Sequence, residues 1–407
     1  DTIGILCPAG YMPAENAKAC IQTLKKWGYK VVKGKTLGGK SKNYFSGTDE
    51  ERLHDLQSFI DDPSIKAILC GRGGYGTTRI LDGINWKAFK KNPKWIIGFS
   101  DITVLHGYMH EQLGICSIHG PMAGAFNNGE DRFTFSLKDT LEGKPVHYSA
   151  STHPLNQHGK AKAAVIGGNL CLMAHCIGSN AEYDTDGKIL FMEDIVEQLD
   201  NIDRMMLQLK RAGKLKKLKG LIVGGFSDNK DTERTFGKTA YAIIAEAVQE
   251  YSYPKCFGFP ISHEKENVAI AIGQTYALEI NDDAVSLFRI WPCTDTHSNT
   301  LPLFIAYPMR CFIAEWMLVY MKLNPVRCSL PESTVVLFST STLISPMISF
   351  NKKAGTLRGM KKCPFMALAI NSVNSLLVAG CGATRLYTPS IVAVSMAWIN
   401  ALQRSSI

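Results

Sequence analysis

Short apolar runs alternate with stretches of helical apolar spacing along the first part of the chain. Runs of strand length occur at residues 3–7, 29–32, 65–70 and 95–97. Apolar residues recur at helical spacing at 14–27, 48–60, 77–81 and from 102 onward. Apolar strands that alternate with helices are typical of a parallel sheet with helices on both faces. The pattern therefore predicts a doubly wound, mainly parallel α/β domain over residues 1–126.

A second region of mixed pattern follows a looser, polar segment. Residues 127–162 are punctuated by Pro and Gly, and we expect a linker with a short helix. Strand-like runs then occur at 163–166, 189–192, 220–224, 256–259, 269–272, 277–280 and 285–288, with helical stretches at 170–176, 202–211 and 239–251. We expect residues 163–288 to form a smaller, mixed α/β C-terminal domain.

The tail, residues 289–407, differs from the rest of the chain in charge. It holds 11 of the 45 Lys and Arg residues but 3 of the 36 Asp and Glu residues, which leaves 34 basic and 33 acidic residues in the first 288. The formal charge of +9 therefore comes mainly from the tail, and the body gives no reason to expect a nucleic-acid partner. Residues 363–384 are uncharged and long enough to cross a membrane, but their Pro, Asn, Gly and Ser content argues against a span. We expect an atypical tail, disordered or non-native.

The 12 cysteines are scattered along the chain, with no Cys-x-x-Cys pair. Several lie in apolar runs, where small buried thiols are ordinary. A zinc site is therefore not expected. The chain also starts without a basic segment followed by an apolar one, so we expect a reduced, cytoplasmic protein.

Ser100 stands where the run 95–97 gives way, after Gly98, to a helical stretch. A serine on a sharp strand-to-helix turn presents its hydroxyl, and the helix N-terminus behind it favours developing negative charge. The alternative is that Ser100 is a helix N-cap, with Asp101 in the first turn. These residues taken alone favour the cap.

A glycine-rich loop, Gly-Arg-Gly-Gly-Tyr-Gly at residues 71–76, joins the run 65–70 to the helix 77–81. It matches the dinucleotide-binding pattern only formally, because it follows the third strand and not the first. Consecutive glycines also let backbone N–H groups converge on an oxyanion. Ligands of parallel sheets bind at the carboxyl ends of the strands, so this loop and Ser100 are expected at one edge. Nucleotide binding is the less favoured interpretation.

A serine hydrolase needs a base, an acid that orients the base, and donors for the oxyanion. Glu193 and His263 follow Ser100 in the order Ser, acid, His, which α/β-hydrolases use. Each is weak evidence alone. Glu193 could cap the segment that follows it, His263 could be a surface residue, and His119 competes as the base.

Five stretches, in order between Ile3 and Phe288, share one resemblance. They are residues 71–76 with Leu81-Asp82; Ile-Gly-Phe-Ser-Asp-Ile-Thr at 97–103; His-Gly-Pro-Met at 119–122; Gly-Gly-Asn-Leu at 167–170 with Leu-Phe-Met-Glu-Asp at 190–194 and Asp203-Arg204; and Gly-Phe-Pro at 258–260 with His263 and Asn267. Together they resemble the LD-carboxypeptidase family, serine peptidases that include muramoyltetrapeptide carboxypeptidase and the microcin-C immunity peptidases.

The resemblance implies a function and a set of site residues. The catalytic residues would be Ser100 as nucleophile, Glu193 as the orienting acid and His263 as the general base. The oxyanion hole would use the backbone N–H groups of Asp101 and Gly74, and substrate contacts would come from Arg72, Gly73 and Tyr75. The implied reaction releases terminal D-alanine from murein tetrapeptides in peptidoglycan recycling, in a homodimer that uses no metal and no cofactor and works away from membranes.

Two departures from the family pattern bear on activity. The turn reads Gly-x-Ser-Asp-Ile and lacks the second glycine of Gly-x-Ser-x-Gly. Ser262 precedes His263 where the family usually has glycine, and would be strained if that position required positive φ. Two other functions stay open: a self-immunity peptidase that cleaves a peptidyl-nucleotide antibiotic, and a homologue that binds peptide or nucleotide without turnover.

Overall fold

The computed structural model describes residues 1–290 and three short strands within the tail. The strands of the first part are β1 (Thr2–Leu6), β2 (Lys30–Lys33), β3 (Ile65–Cys70), β4 (Trp95–Gly98), β5 (Ser117–His119), β6 (His147–Ala150), β7 (Gly159–Asn169), β8 (Ile189–Ile195), β9 (Gly220–Ser227), β10 (Lys255–Phe257), β11 (Ile270–Ile272), β12 (Thr275–Ile280) and β13 (Val285–Arg289). The α-helices are α1 (Lys18–Lys26), α2 (Asp49–Asp61), α3 (Thr77–Leu81), α4 (Lys87–Lys91), α5 (Thr103–Tyr108), α6 (Arg132–Leu141), α7 (Leu170–His175), α8 (Leu199–Arg211) and α9 (Ala240–Ala247).

The first sheet has six strands in the order β11-β5-β4-β3-β1-β2. The strands β1 to β5 run parallel, as their buried apolar sequences predict. The sixth strand, β11, pairs antiparallel with β5, with Ile270 opposite His119. The predicted mainly parallel sheet is confirmed, and a strand from far along the chain completes its edge.

The second sheet has seven strands in the order β10-β9-β8-β7-β12-β13-β6. The strands β7 to β10 are parallel, whereas β12, β13 and β6 are antiparallel. The predicted mixed α/β character of this region is confirmed. The core of this half is apolar and continuous around Phe191, Met206 and Tyr276, which are all fully buried.

The segment 127–162, where we expected a linker, contributes to both helix and sheet. Asp131 caps α6, because its carboxylate accepts hydrogen bonds from the N–H groups of Phe133 and Thr134. The strand β6 then pairs with β13 at the edge of the second sheet. The domain boundaries stay a prediction.

The strands described in the tail are β14 (Ala367–Ser372), β15 (Ser375–Gly380) and β16 (Ala383–Tyr387), and they form an antiparallel sheet in that order. The prediction of a disordered or non-native tail otherwise falls on residues outside the described ones. Strand β13 runs through Arg289, one residue past the predicted end of the C-terminal domain. No helix in the described part of the chain is both long and apolar enough to span a bilayer.

Candidate active site

Ser100 lies at a strained turn between β4 and a short 3₁₀ segment, Ser100–Ile102, that leads into α5. Its φ is 63°, in the left-handed region, which non-glycine residues enter at a cost of about 1–3 kcal/mol. The N-cap positions of the two helical segments are Phe99 and Ile102, and neither side chain makes a capping hydrogen bond. The prediction that Ser100 is a helix cap is therefore wrong. The geometry is that of a nucleophile elbow.

Buried polar contacts hold this turn in place. The Asp101 carboxylate accepts a hydrogen bond from the Thr77 N–H at 2.8 Å, which ties the turn to the start of α3. Burial raises the pKa of Asp101, although the hydrogen bonds from Thr77 oppose the rise. The His106 ring donates through Nε2 to the Gly98 carbonyl at 2.9 Å, and burial lowers its pKa to about 4, so the ring is neutral.

The glycine-rich loop packs directly against the turn. A Cβ atom placed on Gly73 would lie 3.0 Å from the Ser100 Cβ and 3.3 Å from the Asp101 nitrogen. Gly74 has a φ of 95°, which favours glycine at that position. The strands β3 and β4 are neighbours, so the loop and Ser100 meet at one sheet edge as predicted.

An arginine that the sequence did not single out anchors the loop. The Arg52 side chain is fully buried and donates to the carbonyls of Pro8, at 2.5 Å, and Gly76, at 2.8 Å. The Gly10 N–H also donates to the Gly73 carbonyl at 3.0 Å. The loop is therefore fixed at its middle and at its C-terminal end to the turn that follows β1. Arg52 lies in a helix rich in charged residues, and nothing in its local sequence marks it as buried.

The structure brings together Glu193 and His263, the predicted acid and the predicted base. The Glu193 carboxylate is fully buried, and its Oε2 lies 2.5 Å from Nδ1 of His263. We expected the strand to end at residue 192, before Glu193, but Glu193 lies within β8. The pairing of β8 with β9 shifts register there, between Met192 and Asp194. Such a bulge re-aims a side chain, which is common beside active sites.

The Glu193 carboxylate sets the protonation of His263. Burial lowers the pKa of His263, but the hydrogen bond to Glu193 and the charges of Glu193 and Asp194 outweigh it, so the pKa is raised overall. A carboxylate at Nδ1 fixes the tautomer in which Nε2 carries the lone pair. His263 can therefore accept a proton through Nε2 and hold the resulting positive charge.

The Phe99 ring lies between two histidines. It contacts the His263 ring edge-on, with centroids 4.9 Å apart, and lies 5.8 Å from the His119 ring. His119 is fully buried, and burial, with the neighbouring His106 and His263, lowers its pKa well below the usual value. A ring without solvent access is not placed to reach a substrate, which argues against His119 as the base.

The serine before His263 is accommodated without strain. Ser262 is not among the described non-glycine residues with positive φ, so the strain that we considered is absent. Its hydroxyl donates to the Glu266 carbonyl at 2.9 Å and accepts from the Glu264 N–H at 3.1 Å. A Cβ on Gly225 would lie 2.4 Å from the Ser262 Cβ, so the space for the serine comes from that glycine.

A buried chain of hydrogen bonds links the nucleophile helix to the strand of the acid. The Asn169 N–H donates to Oγ1 of Thr103 at 3.0 Å, and its side-chain amide donates to Asp194 at 2.7 Å. Burial, with the neighbouring Glu193, raises the pKa of Asp194 to about 7. Asn169 belongs to a stretch that carried the family resemblance, and its bracing role appears only in three dimensions.

A cleft of about 400 Å³ opens beside His263, which lines it with Phe99 and with Arg72 of the glycine loop. Of the predicted substrate contacts, Arg72 lies in this lining and Gly73 lies against Ser100. Tyr75 is 49% exposed and packs near Phe45, outside the cleft lining. The substrate and oxyanion roles of these residues stay predictions.

Two family models match the two parts of the chain that carry the candidate site. The models of the LD-carboxypeptidase N-terminal and C-terminal domains match residues 3–120 and 162–278. A probable murein peptide carboxypeptidase of Bacillus subtilis is 34% identical over 283 residues, which cover 68% of this chain and 88% of that protein. A murein tetrapeptide carboxypeptidase of Pseudomonas aeruginosa is 30% identical over 298 residues, covering 69% of this chain and 93% of that protein.

A solved structure shares the fold. The muramoyltetrapeptide carboxypeptidase of Oxalobacter formigenes superposes with a TM-score of 0.65 at 30% sequence identity, covering 71% of this chain and 98% of that one. The two family models together span more than half of the chain and contain Ser100, Glu193 and His263. The chain belongs to the LD-carboxypeptidase family.

Proposed function

We propose that this protein is a serine carboxypeptidase that releases the terminal D-alanine of murein tetrapeptides by cleaving an L,D-peptide bond. One observation carries the proposal. A buried carboxylate, Glu193, orients His263 through a 2.5 Å hydrogen bond, and the Phe99 ring that contacts His263 directly precedes the strained Ser100. Nucleophilic catalysis by serine needs an acid, a base that the acid orients, and a hydroxyl.

The proposed reaction assigns one role to each of these residues. His263 takes the proton of the Ser100 hydroxyl through Nε2 as the oxygen attacks the carbonyl carbon of the scissile bond. The N–H groups of Asp101 and Gly74 stabilise the negative oxygen of the tetrahedral intermediate. His263 then gives the proton to the leaving amine, D-alanine departs, and water hydrolyses the acyl-enzyme by the same route in reverse.

The substrate class is supported by the relatives. Two of them are named for murein peptides, and they are 30–34% identical to this chain over most of their length. The implied product is a murein tripeptide and free D-alanine. A cytoplasmic location and a homodimer remain part of the proposal, and cell fractionation and light scattering of the purified protein test them.

The test is mass spectrometry of a disaccharide-tetrapeptide after incubation with the wild type and with Ser100→Ala. We expect the wild type alone to remove one alanine. Equal loss of alanine with both proteins would show that Ser100 is not the nucleophile. The same assay with a peptidyl-adenylate analogue separates the self-immunity alternative, because a preference for that substrate would contradict the proposal.

A non-catalytic homologue is the remaining alternative, and turnover separates it from an enzyme. Calorimetry with Ser100→Ala should find the tetrapeptide bound in either case, so binding alone does not decide. A homologue without turnover would leave the tetrapeptide intact in the wild-type sample as well. We expect intact tetrapeptide only with Ser100→Ala.

A further inference from the structure

The glycine-rich loop carries a cation, Arg72, into the lining of the cleft that opens beside His263. The side chain of Arg72 lines this cleft, and its Nη1 donates to the Tyr11 carbonyl at 2.9 Å, which fixes the guanidinium from one side. No carboxylate of the described residues lies within ion-pair distance of Arg72. The remaining N–H groups of the guanidinium are therefore available to an external anion.

The other cation of the cleft lining is Lys265, which differs from Arg72 in one respect. Its ammonium group lies 4.0 Å from the Asp131 carboxylate, and Asp131 also lines the cleft. Opposite charges at this distance reduce the pull of Lys265 on an anionic ligand. Glu264 lines the cleft as well, but neither it nor Asp131 lies within 4 Å of the guanidinium, so among the described residues Arg72 is the cation of this lining without an ion-pair partner.

Simple geometry limits where a terminal carboxylate can lie. In a bond to a C-terminal residue, the carboxylate carbon lies about one residue length, roughly 3.8 Å, from the scissile carbonyl carbon. That carbonyl must touch the Ser100 hydroxyl. Gly73, which follows Arg72 directly, packs so closely against Ser100 that a Cβ atom added to the glycine would lie 3.0 Å from the Ser100 Cβ. Arg72 directly precedes this contact, and its side chain lines the same cleft as Phe99, the residue before Ser100.

We propose that Arg72 binds the terminal α-carboxylate of the substrate and so makes the enzyme an exopeptidase. The planar guanidinium matches a carboxylate with two parallel hydrogen bonds, which a lysine cannot provide. The inference rests on the proposed function, since it assigns a role within that site. It predicts a requirement for a free C-terminus, whatever the identity of the terminal side chain.

The experiment compares two substrates that differ in one group: a murein tetrapeptide with a free terminal carboxylate, and the same peptide as its C-terminal amide. The kcat/KM values are measured for the wild type, Arg72→Gln, Arg72→Lys and Lys265→Gln. We expect the wild type to prefer the acid by roughly 10- to 100-fold, the range of a hydrogen-bonded charged contact. Arg72→Gln should lose activity on the acid by that factor and keep its activity on the amide.

The two control variants sharpen the result. Lys265→Gln, in the same cleft, should keep the acid preference, and Arg72→Lys should keep part of it because it retains the charge. A preference that survives in Arg72→Gln, or one that disappears in Lys265→Gln, would overturn the proposal. Equal losses on acid and amide would assign Arg72 to support of the loop and would also overturn it. A wild type that cleaves neither peptide would instead refute the proposed function.

Discussion

A substitution at Gly73 can displace the turn at Ser100 without removing a proposed catalytic side chain. In Gly73→Ala, the new methyl group would lie 3.0 Å from the Ser100 Cβ and 3.3 Å from both the Asp101 nitrogen and the Phe99 carbonyl oxygen. The φ of Gly73 is not in the positive range, so alanine fits the backbone. The perturbation is therefore a local push on Ser100 and on one proposed oxyanion donor.

The size of this push sets the expected loss of activity. Carbon atoms prefer a separation of about 3.5–4.0 Å, so relief of the 3.0 Å contact moves Ser100 by roughly 0.5 Å or more. A displacement of about 1 Å in a reacting group costs about 10²-fold in rate. We expect kcat to fall by about 10-fold, with overpacking that lowers the free energy of unfolding by about 1–3 kcal/mol.

The assay is the kcat for D-alanine release from a murein tetrapeptide, with Gly124→Ala as the matched control. Gly124 lines the same cleft, and a Cβ there would meet no atom within 4 Å. The control should keep wild-type kcat. A folded Gly73→Ala enzyme with wild-type kcat would refute the reasoning, because it would show that the position of Ser100 does not limit the reaction.

Three further predictions concern the Glu193–His263 pair, Asn169 and the tail. In Glu193→Gln the pKa of His263 should fall, so the acid limb of the pH profile of kcat/KM should move to lower pH. The kcat should drop by about 10²–10⁴-fold. An acid limb that does not move would contradict the pairing of Glu193 with His263. Asn169→Ala removes a helix cap and the partner of the buried Asp194 carboxylate, so the free energy of unfolding in urea should fall by about 2–4 kcal/mol. The exposed control Asn127→Ala should lose about 0.5 kcal/mol. Similar losses in both variants would contradict the structural role of Asn169. Deleting residues 291–407 should leave kcat/KM unchanged, because every proposed site residue precedes the cut; an inactive but folded truncation would contradict this.

Local sequence signals predicted much of the fold. The helix α2 begins where Thr48 and Glu51 have capping-box spacing, and both hydrogen bonds of the box are present. The apolar run at Ile65–Cys70 is a buried strand within the predicted bounds. These features depend on residues close together in the chain, so their pattern is visible in one dimension.

The features that were missed depend on distant partners. The strand β11 joins the first sheet only because β5 offers it an edge, and β6 is a strand only because β13 pairs with it. Ser100, with its positive φ, likewise packs against a glycine loop that is distant in sequence. Local spacing made a helix cap the simpler interpretation, and tertiary contacts made it wrong.

Of the candidate site, the order Ser, acid, His and the family resemblance identified the pair that the structure brings together. The 2.5 Å contact between Glu193 and His263 joins residues 70 positions apart, which composition and periodicity do not predict. Arg52 carries no local signal of its own, because a buried arginine in a charged helix resembles an exposed one. Asn169 stands in a stretch of the family resemblance, but its contacts with Thr103 and Asp194 are not visible in the sequence.

The central claim is that Ser100 is a nucleophile activated by His263. The most direct measurement is peptide mapping by mass spectrometry after reaction with a fluorophosphonate, which labels activated serines. The account predicts a single adduct on Ser100 in the wild type and much slower labelling in His263→Ala. An adduct on another serine, or an unlabelled wild type that still releases D-alanine, would contradict it.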